Sequence, residues 1–121
     1  MYNERIMEEF FNVQNYDVIK AASGVGKVTC DIGSEIVKIY IKVENETIVD
    51  AKFQTFGGVV AIAATSVATK YILGKSIKDV RKFNSSIINE ALGPIPDNKM
   101  YIIPLVISAV IGAVDNYYNK R

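Results

Sequence analysis

The chain has 121 residues, with 14 basic and 13 acidic side chains, one cysteine and no histidine. That length supports one domain whose core needs no disulfides, and the lone Cys30 rules out an intrachain disulfide framework and fits a reducing, cytoplasmic setting. A net charge of +1 carries no basic excess of the kind expected for nucleic-acid binding, and the missing histidine excludes Ser-His hydrolysis.

In chain order, Asn3 is placed to cap a short helix in which Ile6, Met7, Phe10 and Phe11 form an apolar stripe at helical spacing. Residues 1–11 have neither a basic start nor a continuous apolar run, so no targeting segment is expected. A polar connector, Asn12 to Ser23, follows. Gly24-Val25-Gly26 offers the glycine spacing of a phosphate loop, but such a loop lies between a strand and a helix. Here β-type sequence follows, so residues 24–31 are expected to be a strand. Ile36 to Val43 alternates, with Ile39, Ile41 and Val43 on one face and Lys38, Tyr40 and Lys42 on the other. Glu44-Asn45-Glu46 makes a turn into a third strand, Thr47 to Phe56. Three neighbouring strands joined by short turns predict an antiparallel meander.

The helical half begins after Gly57-Gly58, with a helix from about Val59 to Leu73 closed by Gly74. Ser76 caps a short helix over Ile77 and Val80, and Asn84 or Ser85 caps another over Ile87, Ile88 and Leu92. Pro94 and Pro96 enforce an extended link. The last helix runs from about Tyr101 to Tyr118, with Pro104 tolerated in its first turn. The apolar runs Gly57 to Thr69 and Met100 to Val114 fall short of the ~20 residues needed to span a bilayer, so both are expected to be buried helices and no membrane association is expected. Strands followed by helices predict a single α+β two-layer domain over 1–121, a three-stranded antiparallel sheet with helices packed on one face.

Several segments, in order and spacing, carry a family resemblance. Asp50-Ala51-Lys52-Phe53-Gln54-Thr55-Phe56-Gly57 resembles the D-A-x-F-x-T-F-G segment of the IscU and NifU N-terminal family, the scaffolds of iron-sulfur cluster assembly. Glu8-Glu9-Phe10-Phe11-Asn12 is similar to its E-H-F-x-N, Ala61 to Thr69 to its A-I-A-S-S-S-x-A-T helix, and Leu92 to Ile102 to its L-G-G-L-P-P-E-K-M-H-C. The resemblance covers nearly the whole chain.

Carried over position by position, the family's cluster ligands are mostly gone. Its three cysteines fall on Gly33, Gly58 and Ile102, its histidine on Tyr101, and its acid on Glu35. Clusters are held by thiolates, with histidine or carboxylate as substitutes. Glycine and isoleucine offer no donor, and a phenol with a pKa near ~10 is a poor one at neutral pH. Cys30 lies three residues before the ligand position and reads as a small strand residue. A pair of Cys30 residues from two subunits would supply one thiolate each. Asp31 and Glu35 are too few oxygen donors for a hard cation, so no metal is expected and no cofactor, the cluster entering by resemblance only.

The resemblance therefore implies an accessory member of iron-sulfur assembly that acts through protein contacts, is not an enzyme, and meets a cysteine desulfurase or other assembly proteins. The alternative is a self-associating binding module whose apolar tip accepts a small apolar ligand or partner. Either way a partner surface of Val59, Val60, Lys99, Ile102, Ile103 and Val106 is expected, with self-association covering a last helix that is apolar all round between Ile102 and Val114.

Overall fold

Alternation of apolar and polar side chains at period two makes three strands, Gly24–Thr29 (β1), Ile36–Glu44 (β2) and Thr47–Phe56 (β3), in the computed structural model, which describes residues 2–120. The strands pair antiparallel in the order β1-β2-β3, with Val28 opposite Val37 and Ile39 opposite Phe53. β2 and β3 are joined through Asn45 and Glu46, both at positive φ (52° and 62°), a two-residue turn whose twist suits a hairpin. The odd-numbered face of β2 is the core face: Val37, Ile39 and Ile41 are buried, as are Ile48, Ala51 and Phe53 of β3. The register shifts between Lys42 and Val43, and Val43 ends only half-buried.

Helices Val59–Ile72 (α2) and Ile102–Asn119 (α5) cover this face, and Glu4–Phe11 (α1), Ile77–Val80 (α3) and Ser85–Leu92 (α4) pack on those two. The expected caps are in place. Asn3, Ser76 and Asn84 accept the backbone N–H groups of Ile6, Asp79 and Ser86, each satisfying a first-turn donor that the helix cannot. Gly74, just beyond α2, adopts φ +87°, where a Cβ would be strained. The fold is the expected α+β two-layer domain, and β1 explains its two glycines. A Cβ at Gly26 would strike the carbonyl oxygen of Ala109 in α5, so only glycine lets helix and strand approach this closely.

Three details differ from the sequence expectation. Of the α1 stripe only Ile6 is buried and Phe11 stays 73% exposed, because α1 touches the domain along one narrow line. Asp97–Lys99 forms a 3-10 turn within the expected extended link. The third concerns α5, whose surroundings all come from its own chain: β1 and β2 on one side, α2, α3 and α4 on others. Its most exposed positions are Pro104, Ser108, Asp115 and Asn119, while Leu105, Ile107 and Ile111 are half-buried. By length and composition alone residues 97–119 suffice to cross a membrane, but seven α5 side chains, among them Ile102, Val106 and Val110, are packed in the core.

Candidate functional site

Three chain segments meet at one end of the sheet: the loop before β2, the β3–α2 junction and the start of α5. Glu35 continues the core-facing side of β2 and is 4% exposed. Cys30 lies directly across from it, its N–H donating to the Glu35 carbonyl oxygen at 2.8 Å, so the two side chains share a face. Tyr101, at the N-terminal cap position of α5, donates its hydroxyl to Glu35 Oε2 at 2.6 Å. Glu35 Oε1 is buried without a hydrogen-bond partner. Donation to the carboxylate, reinforced by desolvation and the Glu35 charge, pushes Tyr101 up to about 12.

The glycines fit around this pair. A Cβ at Gly33 would strike Glu35 Oε1 and the Tyr101 hydroxyl oxygen, and one at Gly57 would come within 2.9 Å of Glu35 Cγ. The space next to residue 33 is thus filled by the carboxylate and the phenol. Gly58 is different: its Cβ position has nothing within 4 Å. Ile102 points into the core at 1% exposure.

Gly33, Glu35, Gly58 and Tyr101 are brought to one place, and Ile102 is turned away from it. Two glycines, one phenol donating its proton and one acid stand at the positions matching the family's ligands, with Cys30 the one thiol beside them. Among the described residues no group of three or more His, Cys, Asp or Glu side chains is placed to hold a metal ion.

The expected partner surface needs correction. Val60, Ile102, Ile103 and Val106 are 0–3% exposed. They face α2, α5 and the sheet and fill the core, because the missing covering layer is supplied by the chain itself. Only Val59 and Lys99, both half-buried, remain accessible. The exposed apolar side chains next to the site are others: Ile32 (90%), Phe56 (69%) and Met100 (45%). Each immediately precedes a residue of the convergent site, Gly33, Gly57 or Tyr101. Their signal in the sequence was an apolar residue at the end of an element or in a turn, where periodicity has no power.

A second polar cluster holds α1 to α2. Ser66 Oγ donates to Glu9 Oε2 at 2.6 Å and accepts the Gln14 N–H, while Lys70 donates to Glu9 Oε1 at 2.7 Å. Thr65 Oγ1 donates to the Ala61 carbonyl oxygen within its own helix. Both hydroxyls are committed to packing, consistent with their reading as small helix residues.

Meander, helices on one face and a convergent end together define an α+β domain of the NifU-like type. A NifU-like N-terminal protein from Brucella abortus superposes with a TM-score of 0.82, covering 98% of this chain and 95% of that one at 16% identity. The chain belongs to the NifU-like N terminal domain family of iron-sulfur cluster assembly scaffolds, which matches it over residues 1–121. Similar relatives include the iron-sulfur cluster assembly scaffold protein IscU 1 of Archaeoglobus fulgidus, 38% identical across all of this chain and 79% of that protein. The IscU scaffold of Aquifex aeolicus is 33% identical over 99% of this chain and 78% of its own.

Proposed function

We propose that this chain works in iron-sulfur cluster assembly without holding a cluster, as an accessory or regulatory member acting through protein contacts. The observation that carries this reading is the Glu35–Tyr101 hydrogen bond, which occupies the space a ligand at position 33 would need. The exposed Ile32, Phe56 and Met100 then serve as contact points around the site, for a cysteine desulfurase, another assembly protein or a second copy of the chain. The reading places the protein in the cytoplasm and assigns it no catalysis. Anaerobic incubation with iron and sulfide is expected to leave no bound chromophore after desalting. A stable absorption spectrum that disappears in Cys30→Ser would refute the claim.

A second reading, a binding module for a small apolar ligand, draws on a groove of about 440 Å³ between α4 and α5. Met100, Ile103, Pro104 and Ile107 line it. An apolar molecule that co-purifies and is lost on Ile107→Asp would favour it over the first reading.

A further inference from the structure

The face of the sheet turned away from α2 and α5 gathers charge that the balanced composition conceals. Strand register puts Lys27 of β1, Lys38 and Lys42 of β2 and Lys52 of β3 on it together. Lys27 stands directly opposite Lys38, a like-charge pairing that costs stability. The same face carries two acids on its strands, the exposed Glu44 at the far end of β2 and Asp50, whose carboxylate lies 3.8 Å from Lys52. Lys42 donates to the Ala21 carbonyl oxygen, and Lys38 lies 5.2 Å from the centre of the Tyr40 ring. Among the described residues neither Lys27 nor Lys38 has a carboxylate within ion-pair distance. One row further along, Phe56 sits opposite Ile36, and its ring is largely in solvent.

We propose that this face docks an acidic segment of a partner protein, its carboxylates on Lys27 and Lys38 and an apolar side chain of the segment on Phe56. Unneutralised lysines beside an exposed ring ask for an occupant carrying both negative charge and apolar surface. Single-stranded nucleic acid fits less well. Its bases need exposed aromatic faces to stack on, yet Tyr40, the ring among the lysines, is 6% exposed with its hydroxyl donated to Gln54. No arginine stands on these strands to clasp phosphate with two parallel hydrogen bonds. The inference goes beyond the proposed function and does not depend on whether the site end holds a cluster.

A Glu-rich peptide carrying one Leu, its Gln-for-Glu counterpart and a single-stranded oligothymidine, each titrated against the full chain, test the proposal. The Glu peptide is expected to bind, to weaken with added salt, and to shift backbone amide resonances of β1, β2 and Phe56. Lys27→Glu with Lys38→Glu is expected to weaken it at least about tenfold, whereas Lys78→Glu with Lys82→Glu changes nothing comparable. Phe56→Ala is expected to weaken binding and leave its salt dependence unchanged. If charge reversal perturbs folding, as judged by the melting curve, Lys27→Gln with Lys38→Gln gives the same readout. Absent binding, equal binding of the Gln peptide, insensitivity to the lysine changes, or tighter binding of the oligothymidine would each overturn the proposal.

Discussion

Tyr101 and Glu35, 66 positions apart in the chain, are joined by a 2.6 Å hydrogen bond that ties the start of α5 to the start of β2. The phenol keeps its proton because the acceptor is a carboxylate: ionising Tyr101 would set two negative charges against each other. Its pKa is accordingly raised from 10.0 to about 12. A raised pKa means that the folded state holds the proton more tightly than the unfolded state. The stability it contributes is therefore complete below pH ~10 and is lost as pH rises from there to ~12, with no effect near neutrality. Tyrosinate absorbance titration should show one late step near the top of this range. Glu35→Gln should move that step back toward the ordinary tyrosine value. A titration curve whose late step persists in Tyr101→Phe would show that the step belongs to another residue.

The two glycines that stand at ligand positions should respond differently to cysteine. Gly58→Cys enters open space and is expected to change stability by less than ~0.5 kcal/mol. Gly33→Cys runs into Glu35 and Tyr101 and should cost ~1–3 kcal/mol, as overpacking does. Adding Tyr101→Ala to Gly33→Cys should recover part of that loss. Denaturant unfolding of the three variants measures these differences, and equal stability of the two single variants would contradict the described packing.

Charge introduced at Val106 or Ile102 probes the interior. Both side chains are at most 1% exposed, so Val106→Glu or Ile102→Glu buries a carboxylate with no partner and should destabilise the monomer by several kcal/mol, more than ~3. The expected result is a collapse of the thermal transition. A variant that stays folded while an oligomer dissociates would instead place these residues at an interface.

Gly26 tests the contact between β1 and α5. Gly26→Val would force strand and helix apart at Ala109 and Ala113 and is expected to cost ~1–3 kcal/mol or more. Circular-dichroism melting reads it directly. By comparison Lys27→Val, on the opposite face one residue away, relieves the repulsion with Lys38 and should be neutral to slightly stabilising.

Self-association now has a narrower basis. With most of α5 packed against its own chain, a dimer through the convergent end would use the exposed Ile32, Phe56 and Met100. Sedimentation of the wild type beside Ile32→Asp and Phe56→Asp is the check. A dimer that survives both changes would have to use another surface.

The sequence alone determined which segments form strands and which form helices, where α1, α3 and α4 are capped, and that no cysteine stands at the positions matching the family's ligands. These properties are local: period two, period 3.6, a side chain one to three residues from the N–H that it caps, and the identity of single residues. Tertiary structure decided which apolar residues are hidden. Ile102, Ile103 and Val106 look as available as Ile32 and Phe56 until α2 and the sheet close over them. It also decided that Glu35 and Tyr101 meet, that Gly26 is a contact point for α5, and that Lys27, Lys38, Lys42 and Lys52 share one face of a nearly neutral chain. Each of these depends on strand register and on which element covers which, and so on residues tens of positions apart, a distance over which local pattern carries no information.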